Sequence, residues 1–231
     1  QVVERHPGDF EPLKNLALLY RDTGRLDEAV AYARAATQAR PDYAPIYQLL
    51  GELYWHVKDL ANAETAYRQA LELNPQDVNT LLGVVTVYRD QGRFEEAIAQ
   101  LETTLQRVPD NVQLKQALGD LYVSTANWQK AIESYEAVLA ANPDQVQVHS
   151  VLAHAYAQVG RLEDAVTQTL RLLEVVPDDF VSHKNLALLY QQLGRIEEAV
   201  VEAERALELA PDSEREIMSN LISQLRETRG P

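Results

Sequence analysis

Seven prolines, Pro7, Pro41, Pro75, Pro109, Pro143, Pro177 and Pro211, stand 34 residues apart. Tyr20, Tyr54, Tyr88, Tyr122, Tyr156 and Tyr190 keep the same interval, as do Ala29, Ala63, Ala97, Ala131, Ala165 and Ala199. A fixed period of this length constrains the fold more than any composition can. A unit so short cannot bury its apolar face alone, so successive units must stack and share one continuous core. The phase of the prolines predicts six units, 8–41, 42–75, 76–109, 110–143, 144–177 and 178–211, with residues 1–7 before them and 212–231 after.

Each unit reads as two helices. In the first, Leu13, Leu16, Ala17 and Tyr20 recur at helical spacing, and that spacing gathers them into one apolar stripe. Gly24 follows, able to take the positive φ at which helices end. Leu26, Ala29, Val30 and Ala33 form the stripe of a second helix, closed by Pro41. Glycine returns at this turn as Gly92, Gly160 and Gly194, whereas Lys58 and Ala126 take its place in two units. Asp42, Asp110, Asp144, Asp178 and Asp212 follow the prolines and are expected to cap the next helix. Ala17, Gly51, Gly119, Ala153 and Ala187 are expected to let the first helix approach the alanine of the second. Val85 breaks that rule, within Val84-Val85-Thr86-Val87, and predicts looser or shifted packing in the third unit.

Leu50, Gly51, Tyr54, Ala63, Tyr67, Ala70 and Pro75 carry an order of large, small and aromatic residues that resembles the tetratricopeptide repeat. The resemblance spans nearly the whole chain. It implies an all-α, right-handed α-solenoid of six helix-turn-helix repeats, with the first helices lining a concave groove. It also implies a scaffold for protein interaction, although this family serves many unrelated processes.

The two ends depart from the repeat. Residues 1–7 read as the tail of a helix whose beginning is missing, and the only methionine is Met218, so we expect more chain upstream. From Asp212, the residues Ile217, Leu221, Ile222 and Leu225 predict an amphipathic helix that covers the last apolar face, with Gly230 and Pro231 ending it. The open face at the other end could serve self-association.

Composition narrows the partners. The chain holds 21 Lys and Arg against 35 Asp and Glu, a net charge of −14. That balance argues against nucleic acid and against anionic membrane surfaces. No cysteine is present, so thiol chemistry and disulfides are excluded. The uncharged stretches are too short to span a bilayer, and membrane insertion is not expected. The compartment stays open, cytoplasm or, with an anchor upstream, a bacterial envelope.

No catalytic, cofactor or metal constellation emerges. The glycines serve turns and helix crossings rather than a phosphate loop. His149 and His183 share a repeat position otherwise held by Leu13, Tyr47 and Leu81 and read as packing residues. His154 projects from another side of its helix than His149, which argues against a shared metal ion. The pairs Asp27-Glu28, Glu95-Glu96, Glu163-Asp164 and Glu197-Glu198 fall in the first turn of second helices, where negative charge meets the positive end of the helix dipole.

A ligand would meet the first-helix side chains beside the packing stripe. Candidates are Lys14, Asn15 and Arg21 in the first unit, Gln48, Glu52 and Trp55 in the second, and Arg89 in the third. Asp120, His154, Lys184 and Asn185 continue the series. The mixture suits an extended peptide or a partner's helix. Trp55 could anchor that partner or pack against the next repeat, whereas Trp128, in the place of Leu26, Leu60 and Phe94, reads as core. Lys14 through Tyr20 is repeated identically as Lys184 through Tyr190. The carboxylate clamp of chaperone-tail binders is incomplete, with Leu18 and Leu49 at its asparagine positions, and no asparagine ladder runs along the groove. The expected function is a non-catalytic scaffold holding a peptide or subunit during assembly of a larger complex. The alternative is the substrate-recruiting arm of a larger enzyme.

Overall fold

The computed structural model describes residues 9–228. The expected helical tail at 1–7 and the stop at Gly230 and Pro231 lie outside the described residues. The chain divides into two compact units, 1–117 and 118–231. The first contains α1 (Phe10–Asp22), α2 (Leu26–Ala39), α3 (Ala44–His56), α4 (Leu60–Leu73), α5 (Val78–Asp90) and α6 (Phe94–Arg107). The division falls within α7 (Val112–Ser124). The second unit continues with α8 (Trp128–Ala141), α9 (Val146–Gln158), α10 (Leu162–Val175), α11 (Phe180–Gln192), α12 (Ile196–Leu209) and α13 (Asp212–Thr228). Helices α1 and α2, α3 and α4, α5 and α6, α9 and α10, and α11 and α12 pack as hairpins, and α2, α4, α8, α10 and α12 each also touch the helix that follows. This is an all-α stack of paired helices, the solenoid class that the period requires.

One turn joins every pair. The backbone N–H of Arg25 donates to Tyr20 O at 2.8 Å, and Asp59, Arg93, Asn127, Arg161 and Arg195 repeat the bond to Tyr54, Tyr88, Tyr122, Tyr156 and Tyr190. Such a wide closure satisfies a last helical carbonyl and needs a residue in the left-handed region. Gly24, Gly92, Gly160 and Gly194 supply it at φ between +72° and +78°. Lys58 and Ala126 hold φ of 64° and 54° in the same place, so the tertiary stack imposes the turn where the sequence does not favour it.

The arginine after the glycine has a further role that the sequence does not announce. The guanidinium carbons of Arg25, Arg93, Arg161 and Arg195 lie 4.2–4.4 Å from the ring centroids of Tyr20, Tyr88, Tyr156 and Tyr190. Each arginine also pairs with the second member of a first-turn acidic pair, Glu28, Glu96, Asp164 or Glu198. Hydrogen bonds from these arginines lower the carboxyl pKa of Glu28, Glu96 and Glu198.

The cap assignment moves by one residue. Asp77 accepts from Asn79 N at 3.1 Å, Asn111 from Leu114 N at 3.0 Å and Asp179 from Ser182 N at 2.8 Å. These caps stand two residues past the proline, not one, because a proline-initiated turn intervenes before helical φ and ψ begin. Asp178, expected as a cap, instead pairs with Arg205. Asp212 already lies inside the first turn of α13.

The small residues of the first helices also face something other than alanine. A β-carbon on Gly51 would stand 2.7 Å from the ring of Tyr67, and one on Gly119 would stand 2.9 Å from Tyr135. The second helix therefore inserts its aromatic ring at the crossing, one turn beyond the alanine. Tyr67 also closes on the following repeat, where a β-carbon on Gly83 would lie 2.6 Å from its ring. In the third unit Val84, Val85 and Val87 are buried, and α5 packs less closely on α6 than α3 does on α4.

The last helix buries Met218, Ile222 and Leu225 against the stack, while Ile217 is 58% exposed. Ile222 and Leu225 of the expected stripe are covered, but the face turns toward Met218 and away from Ile217, as i, i+4 and i+7 spacing from Met218 allows. Burying each such side chain contributes about 1.5–3 kcal/mol.

Candidate functional site

Two solvent-open troughs lie between first helices, one in each unit. In the first unit a trough of about 420 Å³ separates α1 from α3. Side chains on one face of two adjacent parallel-running helices converge on it, so Lys14 and Arg21 from α1 meet Gln48 and Glu52 from α3. Arg21 reaches Glu52 at 3.8 Å and Asp22 at 2.9 Å, and Lys14 holds Glu11 at 2.6 Å. Leu18 and Leu49 supply apolar wall. Two cations, Lys14 and Arg21, and one carboxylate, Glu52, line it.

Trp55 and Arg89 do not join this set. The Trp55 indole N–H donates to Asp90 Oδ2 at 2.7 Å, which ties α3 to α5. Lys58 Nζ lies 5.1 Å from its ring centroid. Trp55 therefore ties two repeats together, one of the two roles its position allowed. Arg89 sits exposed beside Asp90, at 3.4 Å.

In the second unit a trough of about 500 Å³ runs between α9 and α11. His154 and Asn185 line it together, with Ser150, Gln158 and Gln192. The ring of His154 meets Trp128 edge-on at 5.3 Å between centroids. Trp128 is only partly buried, a correction to its reading as core: it begins α8 and its ring meets His154 on α9. Val181 and Leu188, exposed at 52% and 37%, add apolar surface to the same trough. Sequence reasoning missed these two, although they share the α11 face of Asn185 and Gln192 at helical spacing.

The remaining candidates are turned elsewhere. Asp120 accepts a hydrogen bond from the Tyr135 hydroxyl. Lys184 Nζ donates to Glu214 on α13 at 3.2 Å and lies 5.2 Å from the Phe180 ring centroid. Asn15 is exposed but does not line the first trough, whereas its duplicate Asn185 lines the second. Identical heptads thus serve different surroundings, and no lysine–asparagine clamp recurs. His149 and His183 are partly buried, each with one ring nitrogen 2.9 Å from a proline carbonyl, Pro143 or Pro177. Their other nitrogens meet Gln168 at 2.7 Å and Glu202 at 2.6 Å.

Among the described residues, no group of three or more His, Asp or Glu side chains could hold a metal ion. Nor is any helix among them long and apolar enough to cross a membrane.

Comparison with known proteins gives one family throughout. Models described as Tetratricopeptide repeat match residues 54–121, 88–133 and 122–186, others 1–44 and 14–78, and another 181–213. Among curated relatives, human Superkiller complex protein 3 is 29% identical over 103 residues, 45% of this chain and 7% of that protein. Drosophila melanogaster Protein O-mannosyl-transferase Tmtc3 is 34% identical over 98 residues, 42% of this chain and 11% of the relative. The chain thus spans only about a tenth of the length of such relatives. Among solved structures, YrrB, described as a TPR protein with an unusual peptide-binding site, has a TM-score of 0.68 at 21% identity, covering 81% of this chain and 97% of its own. A tetratricopeptide repeat protein from Parabacteroides merdae has a TM-score of 0.69 at 18% identity, covering 94% of this chain and 98% of its own. At these identities the structural likeness establishes the fold alone.

Proposed function

The chain belongs to the tetratricopeptide repeat family, and we propose that it is a non-catalytic scaffold whose first-helix troughs hold a peptide or partner subunit while a larger complex assembles. Proteins of this family are generally interaction scaffolds. The observation that carries the reading is that Arg21, Gln48, His154 and Asn185 face open troughs, although such side chains contribute little to a repeat's own packing. Amide and charged side chains presented side by side on successive helices suit a partner's main chain and polar groups. The peptide-binding description of YrrB supports the same reading.

Site-specific photocrosslinking tests it. A crosslinking amino acid at Gln48 or at Asn185 should give a discrete adduct in the native cell, and one at Val201, exposed on the second helix of a pair, should not. Adducts from Val201 with none from the troughs would move the docking surface away from them.

A second reading, the recruiting arm of a larger enzyme, draws on the relative named as an O-mannosyl-transferase, of which this chain matches 11%. A catalytic module encoded next to these repeats in the full gene would favour it.

A further inference from the structure

Where α8 and α10 end, the second unit carries a recess that shares no residue with the troughs. Leu139 from the last turn of α8, Pro143 beyond it, His149 from α9 and Val175 at the end of α10 form its walls. Asp144, Arg171 and Glu174 bring its formal charges. At about 370 Å³ it admits a side chain, since one water takes about 30 Å³. Val175 is 59% exposed and Val176 after it 43%, so open aliphatic surface adjoins the charged rim.

The period supplies a second version of this arrangement. Pro177, Asp178, His183, Arg205 and Glu208 stand 34 residues after Pro143, Asp144, His149, Arg171 and Glu174. There one guanidinium serves both carboxylates: Arg205 Nη1 donates to Glu208 at 2.6 Å and Nη2 donates to Asp178. In the earlier repeat Arg171 spends Nη1 on the two oxygens of Glu174, at 3.2 and 3.0 Å. The exposed Asp144 carboxylate is left without a partner among the described residues. His149 does not serve it, because its ring nitrogens are held by Pro143 O at 2.9 Å and Gln168 at 2.7 Å. This repeat thus keeps open an acceptor whose counterpart binds a guanidinium.

We propose that this recess docks an arginine of a partner protein, its guanidinium on Asp144 and its methylene stem against Val175, Leu139 and Pro143. Arginine suits both halves of the site. Its planar fork of donors matches a carboxylate, and its stem covers apolar surface. Lysine brings only a point charge. Arg171 repels the newcomer, but its pairing with Glu174 offsets much of that. The wider field favours a cation, because residues 118–231 hold 18 Asp and Glu against 9 Lys and Arg. This surface is separate from the first-helix troughs and does not depend on their holding a ligand.

The test titrates the full chain, methyl-labelled at Val and Leu, with acetyl-Leu-Arg-Leu-amide and follows the methyl NMR signals. Those of Val175 and Leu139 should move, and that of Val201 should not. The citrulline analogue, alike in shape but uncharged, should bind about fivefold more weakly. Asp144→Asn should weaken the arginine peptide by a similar factor and bind arginine and citrulline alike, which isolates the coupling between the two groups. Arg171→Ala should tighten binding about twofold by removing a like charge. Asp144 and Arg171 are both exposed, so thermal unfolding of the two variants should be unchanged. A glutamate analogue that binds better than the arginine peptide would place an anion on Arg171 and overturn the proposal. Equal binding of arginine and citrulline to the unaltered chain would also overturn it, as would discrimination that persists in Asp144→Asn. So would shifts confined to the trough residues Leu18, Leu49 and Leu188, or a Val175 signal that stays still at tens of millimolar peptide.

Discussion

Trp55 donates its indole N–H to Asp90 at 2.7 Å, joining first helices 35 residues apart. A hydrogen bond to an ionised acceptor is stronger than a neutral one, but both partners here are partly open to water, so its net contribution is about 1 kcal/mol. Trp55→Phe and Asp90→Ala should therefore each lower stability, and the double variant should lose about 1 kcal/mol less than the sum of the two. Urea unfolding of the four proteins measures this coupling. Strictly additive losses would show that the bond contributes nothing and would return Trp55 to the pool of candidate partner anchors.

Tyr67 fills the space above two glycines at once. Gly51→Ala and Gly83→Ala would place a β-carbon 2.7 and 2.6 Å from its ring, which forces the helices apart and should cost about 1–3 kcal/mol each. Adding Tyr67→Ala should remove most of the penalty of either alanine. At Gly92 nothing lies within 4 Å of an added β-carbon, so Gly92→Ala should cost about 1 kcal/mol from its φ of +74° alone and show no rescue. Equal rescue at all three positions would refute the steric account.

Lys58 and Ala126 carry side chains where the turn demands positive φ. Lys58→Gly and Ala126→Gly should stabilise the chain by about 0.5–1 kcal/mol each, the relief of strain exceeding the added freedom of the unfolded backbone. Thermal unfolding of the single and double variants checks this. A lower midpoint in either would show that the residue's packing outweighs its backbone strain.

Tyrosine burial gives stability an alkaline limit. Burial pushes the Tyr67 hydroxyl up to about 12, with the Glu52 carboxylate adding to the shift. Burial also raises Tyr135 and Tyr156, whose hydroxyls donate to Asp120 and Glu136. A group raised in the folded state contributes stability that is whole below its unfolded value, about 10 for tyrosine, and is lost as pH rises through the folded value. The urea midpoint should therefore fall steadily above about pH 10, and Tyr67→Phe should shallow that fall. A midpoint that stays level through the tyrosine range would contradict the burial assigned to these hydroxyls.

Much of this was legible in the residues. The helix pairs follow from Leu13, Ala17 and Ala29 at helical spacing, and the turn from Gly24, Gly92, Gly160 and Gly194. Gln48, His154 and Asn185 could be placed beside the packing stripe because helical phase fixes which face a residue occupies. Phase does not say what stands opposite. Asp120 and Lys184 share the candidate face, yet one meets Tyr135 and the other Glu214. The caps fell one residue from their expected place because only backbone dihedrals, not composition, mark where a helix begins.

The sequence by itself determined the period, and with it the pairing of helices, their stacking and the family, because a 34-residue unit has one economical way to bury its stripe. Only the tertiary structure decided which polar side chains on the first helices are spent and which stay free. Trp55 and Asp120 are committed to partners, whereas Asn185 and Gln192 face an open trough with Val181 and Leu188. That outcome depends on distances between side chains of neighbouring repeats, and periodicity, which treats every repeat alike, carries no record of them.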